Sequence, residues 1–174
     1  AVALDLLEKR LVTDQLTLTV GYDIENTASG YHGETVTDRY GRKIPKHAHG
    51  TANLPRKTSS ARSVTDAVLG VYDAKVDPKL TIRRLTITAN RLVSEDEARQ
   101  EAEAPTQLNL FDSVEAQEQH LREEESKLER ERRLQEAMLG IKKKFGKNAI
   151  LNGGSYLEGA TARERNGQIG GHKA

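Results

Sequence analysis

Leu16-Thr17-Leu18-Thr19-Val20-Gly21-Tyr22 alternates large apolar residues with threonines and a glycine. A repeat of two places Leu16, Leu18, Val20 and Tyr22 on one face of a strand and Thr17, Thr19 and Gly21 on the other. One face is suited to a core, the other to water or a polar partner. Upstream, Ala3, Leu4, Leu7 and Leu11 recur at helical spacing, which predicts a helix over 1–12. Downstream, 23–33 is rich in Gly, Asn and Ser and predicts a loop. Arg39, Arg42, Lys43 and Lys46 then surround Tyr40-Gly41 and Pro45, near the turn of a long hairpin.

Alternation returns from His47 to Leu54, with Ala48, Gly50, Ala52 and Leu54 on one side and His47, His49, Thr51 and Asn53 on the other. The small residues of the first side predict a strand lying close beneath a helix. Pro55-Arg56-Lys57-Thr58-Ser59-Ser60 is expected to close that strand and to supply a hydroxyl cap for a helix. Val64, Ala67, Val68, Val71 and Tyr72 carry the helix to about Lys75, and Pro78 stops it. In the last strand, 80–92, Leu85, Ile87 and Ala89 face inward and Arg84, Thr86, Thr88 and Asn90 outward. Ile82 has the wrong parity, which predicts a bulge near Arg83. Helix, strand, strand, helix, strand is an α+β order: a small two-layer domain over 1–93, two helices on one face of a mostly antiparallel sheet. The other face is Thr, His, Asn and Arg, a platform suited to a phosphate backbone.

Beyond it, 94–106 is acidic and reads as a linker, 112–145 as a charged helix and 146–174 as a flexible basic tail. Asp112 and Glu115 have capping-box spacing. Leu121, Leu128, Leu134, Met138, Ile141 and Phe145 are too sparse for a coiled coil, since Glu124 and Glu131 fall at would-be core positions. The net charge of +1 conceals segregation: +4 over 1–93, −8 over 94–139 and +5 over 140–174. Basic ends around an acidic connector suggest a polyanionic partner. With 30% charged residues, 4% aromatic and no Trp, the composition is lean for a core along all 174 residues. The absence of Cys excludes disulfides and thiolate metal sites and suits a reducing cytoplasm, the expected location. No run of 18 apolar residues and no signal-peptide layout occurs, so no membrane partner is expected. The chain starts with Ala inside a helical pattern, which suggests a piece of a longer protein.

Gln107-Leu108-Asn109-Leu110-Phe111 places three large apolar side chains in polar surroundings. Such residues suit a pocket on another molecule, as anchors carried by a flexible strand. The spacing Gln107-Leu108-x-Leu110-Phe111 resembles the peptide by which bacterial DNA polymerases and repair factors hold the ring-shaped sliding clamp.

Asp38-Arg39-Tyr40-Gly41-Arg42, His49-Gly50-Thr51-Ala52-Asn53-Leu54 before a Thr-Ser-Ser helix start, and Ile82-Arg83-Arg84-Leu85 together resemble the little finger domain of Y-family, translesion DNA polymerases of the UmuC/DinB-like group. The tail segments Lys144-Phe145-Gly146-Lys147-Asn148-Ala149-Ile150-Leu151, Gly159-Ala160-Thr161 and Arg163-Glu164-Arg165-Asn166 are similar to C-termini of the UmuC-like branch, as is Gln168-Ile169-Gly170-Gly171-His172. The resemblance spans nearly all of the chain. It implies a domain that grips primer-template duplex across the major groove, mainly through phosphates, in a parent enzyme acting in translesion synthesis and DNA repair. The DNA contacts it implies are Arg39, Arg42, Lys43, Lys46, His47, His49, Thr51, Arg56, Lys57, Arg83 and Arg84. The family's domain begins with a strand before its first helix, whereas this chain starts in the helix. Two-metal nucleotidyl transfer, with magnesium, belongs to a palm that this sequence lacks, so polymerase activity is expected of the parent alone.

Other chemistry finds little footing. His47-x-His49 has the spacing of a zinc chelate but no third ligand, which favours a structural or DNA-facing role. Gly153-Gly154 and Gly170-Gly171 lack the Gly-Lys-Ser/Thr ending of a phosphate loop. No Ser/His/Asp arrangement stands out, so no catalytic residue is assigned. The Arg163–Asn166 segment is a candidate for a further protein or DNA partner. A different reading makes the chain a helical adaptor without a DNA role, with 112–145 self-associating and the pentapeptide packed internally.

Overall fold

In the computed structural model the described residues are 2–103, 114–169 and 172–173. The alternating stretch becomes the middle of a 12-residue strand, β1 (Leu11–Tyr22), preceded by a short helix, α1 (Val2–Glu8). The predicted helix over 1–12 ends earlier because Arg10 adopts the left-handed conformation, φ 52°, and turns the chain into the strand. After β1 comes one helical turn, α2 (Glu25–Ala28), inside the stretch expected to be a loop. Asn26 holds that turn to the start of the last strand: its amide donates to Thr81 O at 3.0 Å and its Oδ1 accepts from Thr81 N at 2.9 Å.

A small hairpin, β2 (Thr35–Thr37) with β3 (Lys43–Pro45), carries the Tyr40-Gly41 turn. Next come β4 (Ala48–Thr58), α3 (Ala61–Lys75) and β5 (Ile82–Asn90). β1 is central, antiparallel to β4 on one side and β5 on the other, so α3 carries the chain over β1 from one flanking strand to the other, a split βαβ unit. Leu16, Leu18 and Val20 are at most 2% exposed, and the helices cover them. Ala3 and Val64 pack with Leu16, while Val68, Val71, Tyr72 and Val76 pack around Leu18, Val20 and Tyr22. The two-layer α+β expectation thus holds.

Three strand features follow from local chemistry. The register of β1 with β5 skips Arg83, since Gly21 pairs with Arg84 and Tyr22 with Ile82, so the bulge lies where the parity of Ile82 predicts it. Leu85 has inward parity but stays 46% exposed, on the outer strand β5. On β4, Asn53 pairs with Gln15 and Thr58 with Thr13, leaving 54–57 as a wide irregularity. Pro55 has no N–H to give the ladder, so the chain leaves the pairing there and rejoins it at Thr58 instead of ending the strand. Ser60 then caps α3, its Oγ accepting from Ser63 N at 3.1 Å.

The acidic stretch expected to be a linker is partly structured. β6 (Val93–Ser94) pairs with Val12 and Leu11, and α4 (Glu95–Glu103) follows. A capping box starts α4: Ser94 Oγ accepts from Glu97 N at 3.1 Å, and Glu97 Oε2 accepts from Ser94 N at 2.9 Å. The peptide 107–111 and Asp112 lie outside the described residues.

Residues 112–174 form a second unit. Its helix α5 (Val114–Phe145) matches the charged helix predicted. The region expected to be a flexible tail holds a 3-10 turn (Gly153–Tyr156), α6 (Ala162–Asn166) and a minimal hairpin, β7 (Gln168–Ile169) with β8 (His172–Lys173). Among the described residues, no helix is long and apolar enough to cross a membrane.

Candidate nucleic-acid interface

The face of the sheet away from the helices is assembled from three strands in register. β1 contributes Gln15, Thr17, Thr19 and Gly21; opposite them lie Asn53, Thr51 and His49 of β4, and Asn90, Thr88, Thr86 and Arg84 of β5. Cross-strand hydrogen bonds tie these side chains into rows. Gln15 Nε2 donates to Asn53 Oδ1 at 3.0 Å, Thr17 Oγ1 lies 3.2 Å from Thr51 Oγ1, and Thr19 Oγ1 lies 3.0 Å from His49 Nδ1. Asn90 Nδ2 donates to Thr17 Oγ1 at 2.8 Å. Arg91, to which no sequence pattern points, also belongs here. It is left-handed at φ 48°, and its guanidinium donates to Asn53 Oδ1 at 3.0 Å.

None of the paired positions is a carboxylate; the nearest one shown is Asp14, whose Oδ1 lies 3.7 Å from Arg91 Nε. Hydroxyls, amides and an imidazole can donate to an anion without repelling it, and the preformed rows reduce the side-chain freedom given up on binding. The three strands span about 10 Å across, close to the roughly 12 Å width of a B-form major groove.

The predicted cations divide into two sets. At the tip of the small hairpin, Asp38 accepts from the backbone N–H groups of Tyr40 (2.8 Å) and Arg42 (3.0 Å), and from Arg42 Nε (2.9 Å) and Nη2 (2.7 Å). These hydrogen bonds, the Arg42 side chain's above all, hold the Asp38 carboxyl below its ordinary range. Gly41, at φ 77°, makes the turn that allows this clasp. Tyr40, 65% exposed, has the guanidinium carbons of Arg39 and Arg42 at 4.7 and 5.1 Å from its ring centre. Lys46 pairs with Glu34 at 2.9 Å, and Lys57 pairs with Glu101 of α4. Arg42, Lys46 and Lys57 thus already have carboxylate partners.

Arg39, Lys43, Arg83 and Arg84 form no ion pair among the described residues, and all four are exposed. Arg84 lies on the open face beside Gly21, and Arg83 sits in the bulge next to it. His49 and Thr51 lie in the first half of β4, with His47 just before the strand. The rings of His47 and His49 meet edge to face at 6.4 Å. Arg56 and Lys57 lie at the far end of β4, roughly 30 Å along the strand from His47. The predicted residues therefore do not form one cluster; they are spread along β4, at the start of β5 and on the hairpin. Among the described residues, no group of three His, Asp or Glu side chains is placed to hold a metal ion. Comparison of the chain with family models, with curated proteins and with solved structures gives no match.

Proposed function

We propose that this chain is the C-terminal part of a Y-family translesion DNA polymerase, in which residues 1–93 grip primer-template duplex and Gln107, Leu108, Leu110 and Phe111 tether the enzyme to the sliding clamp. The observation that carries the reading is the carboxylate-free sheet face, with Arg84 on it and exposed cations around it. Its donors suit phosphates, whose contacts carry no sequence information, as a domain that must move along any sequence requires. The tether raises the local concentration at the primer end to about millimolar for a short flexible linker, and so lengthens residence without altering chemistry. The metal-dependent step, with magnesium, lies in the parent's palm; the cytoplasm is the location this role implies.

Lys43→Glu with Arg84→Glu is the direct test. Neither residue is committed to an internal ion pair, whereas replacing Arg42 would also undo the Asp38 turn. Fluorescence anisotropy on a fluorescein-labelled duplex is expected to show binding weakened at every sequence tried. The slope of log K against log salt should become shallower by about 0.9 for each phosphate no longer neutralised. Unchanged affinity and slope would remove the sheet face from the interface.

A further inference from the structure

The second unit leaves two aromatic rings exposed, each with a cation against it. Phe145, the last residue of α5, is 67% exposed, with Lys144 Nζ 5.2 Å from its ring centre. Tyr156, at the end of the 3-10 turn, is 66% exposed, with the Arg163 guanidinium carbon 5.3 Å from its ring centre. A cation on one side of each ring leaves other ring surface open to a second flat group.

The segments bearing the two pairs are fixed to one another. Lys142 Nζ donates to Lys147 O at 3.0 Å across the turn that ends α5. Asn148 Nδ2 donates to Arg163 O at 3.2 Å, and Asn166 Nδ2 donates to Asn148 Oδ1 at 2.7 Å. Asn148 is three residues from Phe145, so the Arg163 backbone lies within roughly 20 Å of that ring. Over 137–169 there are six Lys and Arg against two Glu.

We infer that this unit carries a binding site for single-stranded nucleic acid, in which Phe145 and Tyr156 stack on unpaired bases while Lys144, Arg163 and the neighbouring Lys142 and Lys147 take the phosphates. Each nucleotide offers a flat π-face beside an anion, the counterpart of a ring beside a cation. A duplex fits less well, because its bases already stack on one another and show only their edges. An acidic protein would satisfy the cations but does not place a flat π-face beside each of its anions as a nucleotide does. This inference does not depend on the duplex grip assigned to residues 1–93.

The test uses the full chain and a fluorescein-labelled oligo(dT) of about 15 nucleotides, within the range of known single-strand sites. Phe145→Ala and Tyr156→Ala should each weaken oligo(dT) binding by roughly five-fold to a hundredfold. Tyr156→Phe should keep it, and duplex affinity should change by less than about two-fold in all three. The chain has no Trp, so Tyr156→Trp places a unique fluorophore at the site, and oligo(dT) should quench it. Absence of quenching, alanine variants that bind oligo(dT) normally, or an equal loss on duplex would each overturn the inference. Poly-glutamate that competes as well as oligo(dT), with the same dependence on both rings, would overturn it in favour of an acidic protein partner.

Discussion

A Cβ added at Gly50 would lie 2.6 Å from Val71 Cγ1 and 3.3 Å from Lys75 Cγ, so α3 rests directly on the backbone of β4 at this point. Gly50→Ala is expected to destabilise the first unit by about 1–3 kcal/mol, through overpacking. A lowered urea midpoint at unchanged slope would register it; an unchanged midpoint would mean that α3 shifts at no cost. Two carboxylates make a second residue-scale test. Asp38 is held below its ordinary range chiefly by the side-chain hydrogen bonds from Arg42, and Glu97 by the backbone and hydroxyl hydrogen bonds of Ser94. A depressed folded-state pKa means that the stabilisation is fully present above the unfolded value and is lost as pH falls through the folded one. Carbon-detected NMR titration should find both midpoints below those of the other exposed carboxylates. The hairpin tip and the start of α4 should then loosen only in acid below the ordinary carboxylate range. Midpoints at ordinary values would dissolve both clasps.

At the scale of elements, β1 and α3 were legible because each buries one face, and burial writes a period of two or of 3.6 into the sequence. The bulge at Arg83 was legible for the same reason, as a break in parity. What escaped was set by single backbone conformations or by pairing at a distance. The left-handed turns at Arg10 and Arg91 use residues that carry no sign of them. Pro55 resembled a strand end because the rejoining at Thr58 depends on Thr13, far upstream. α4 was masked by its acidity, although Ser94 and Glu97 stand at capping-box spacing and could have revealed it. The open face was half visible: its Thr and Asn residues follow from parity, but the hydrogen-bonded rows and the role of Arg91 need the register. α5 yields a prediction of its own. Leu134 and Phe145 are 61% and 67% exposed, yet the apolar stripe Leu134, Met138, Ile141 and Phe145 covers about three turns, short of the three or four heptads a coiled coil needs. Sedimentation equilibrium of the full chain should therefore report a monomer, whereas a concentration-dependent dimer would favour the adaptor reading.

For the molecule as a whole, the proposed duplex grip and the proposed clamp tether occupy different stretches of the chain, 1–93 and 107–111, and can be tested apart. Leu110→Ala with Phe111→Ala is expected to abolish binding to the bacterial sliding clamp while leaving duplex affinity unchanged. Surface plasmon resonance on immobilised clamp, beside duplex anisotropy, checks this; equal clamp affinity in the double variant refutes the tether. The central place of β1 matters for synthesis as well as for shape. Its pairing with β5 joins Tyr22 to Ile82 and Gln15 to Asn90, across much of the unit's sequence. Such distant pairing forms slowly once the chain is complete. Moreover, a ribosome adding about 5–20 residues per second needs on the order of 3–14 s to pass from Tyr22 to Asn90. Throughout that interval the greasy side of β1 lacks its final neighbours, so the nascent polypeptide is a natural client for a chaperone waiting at the exit tunnel.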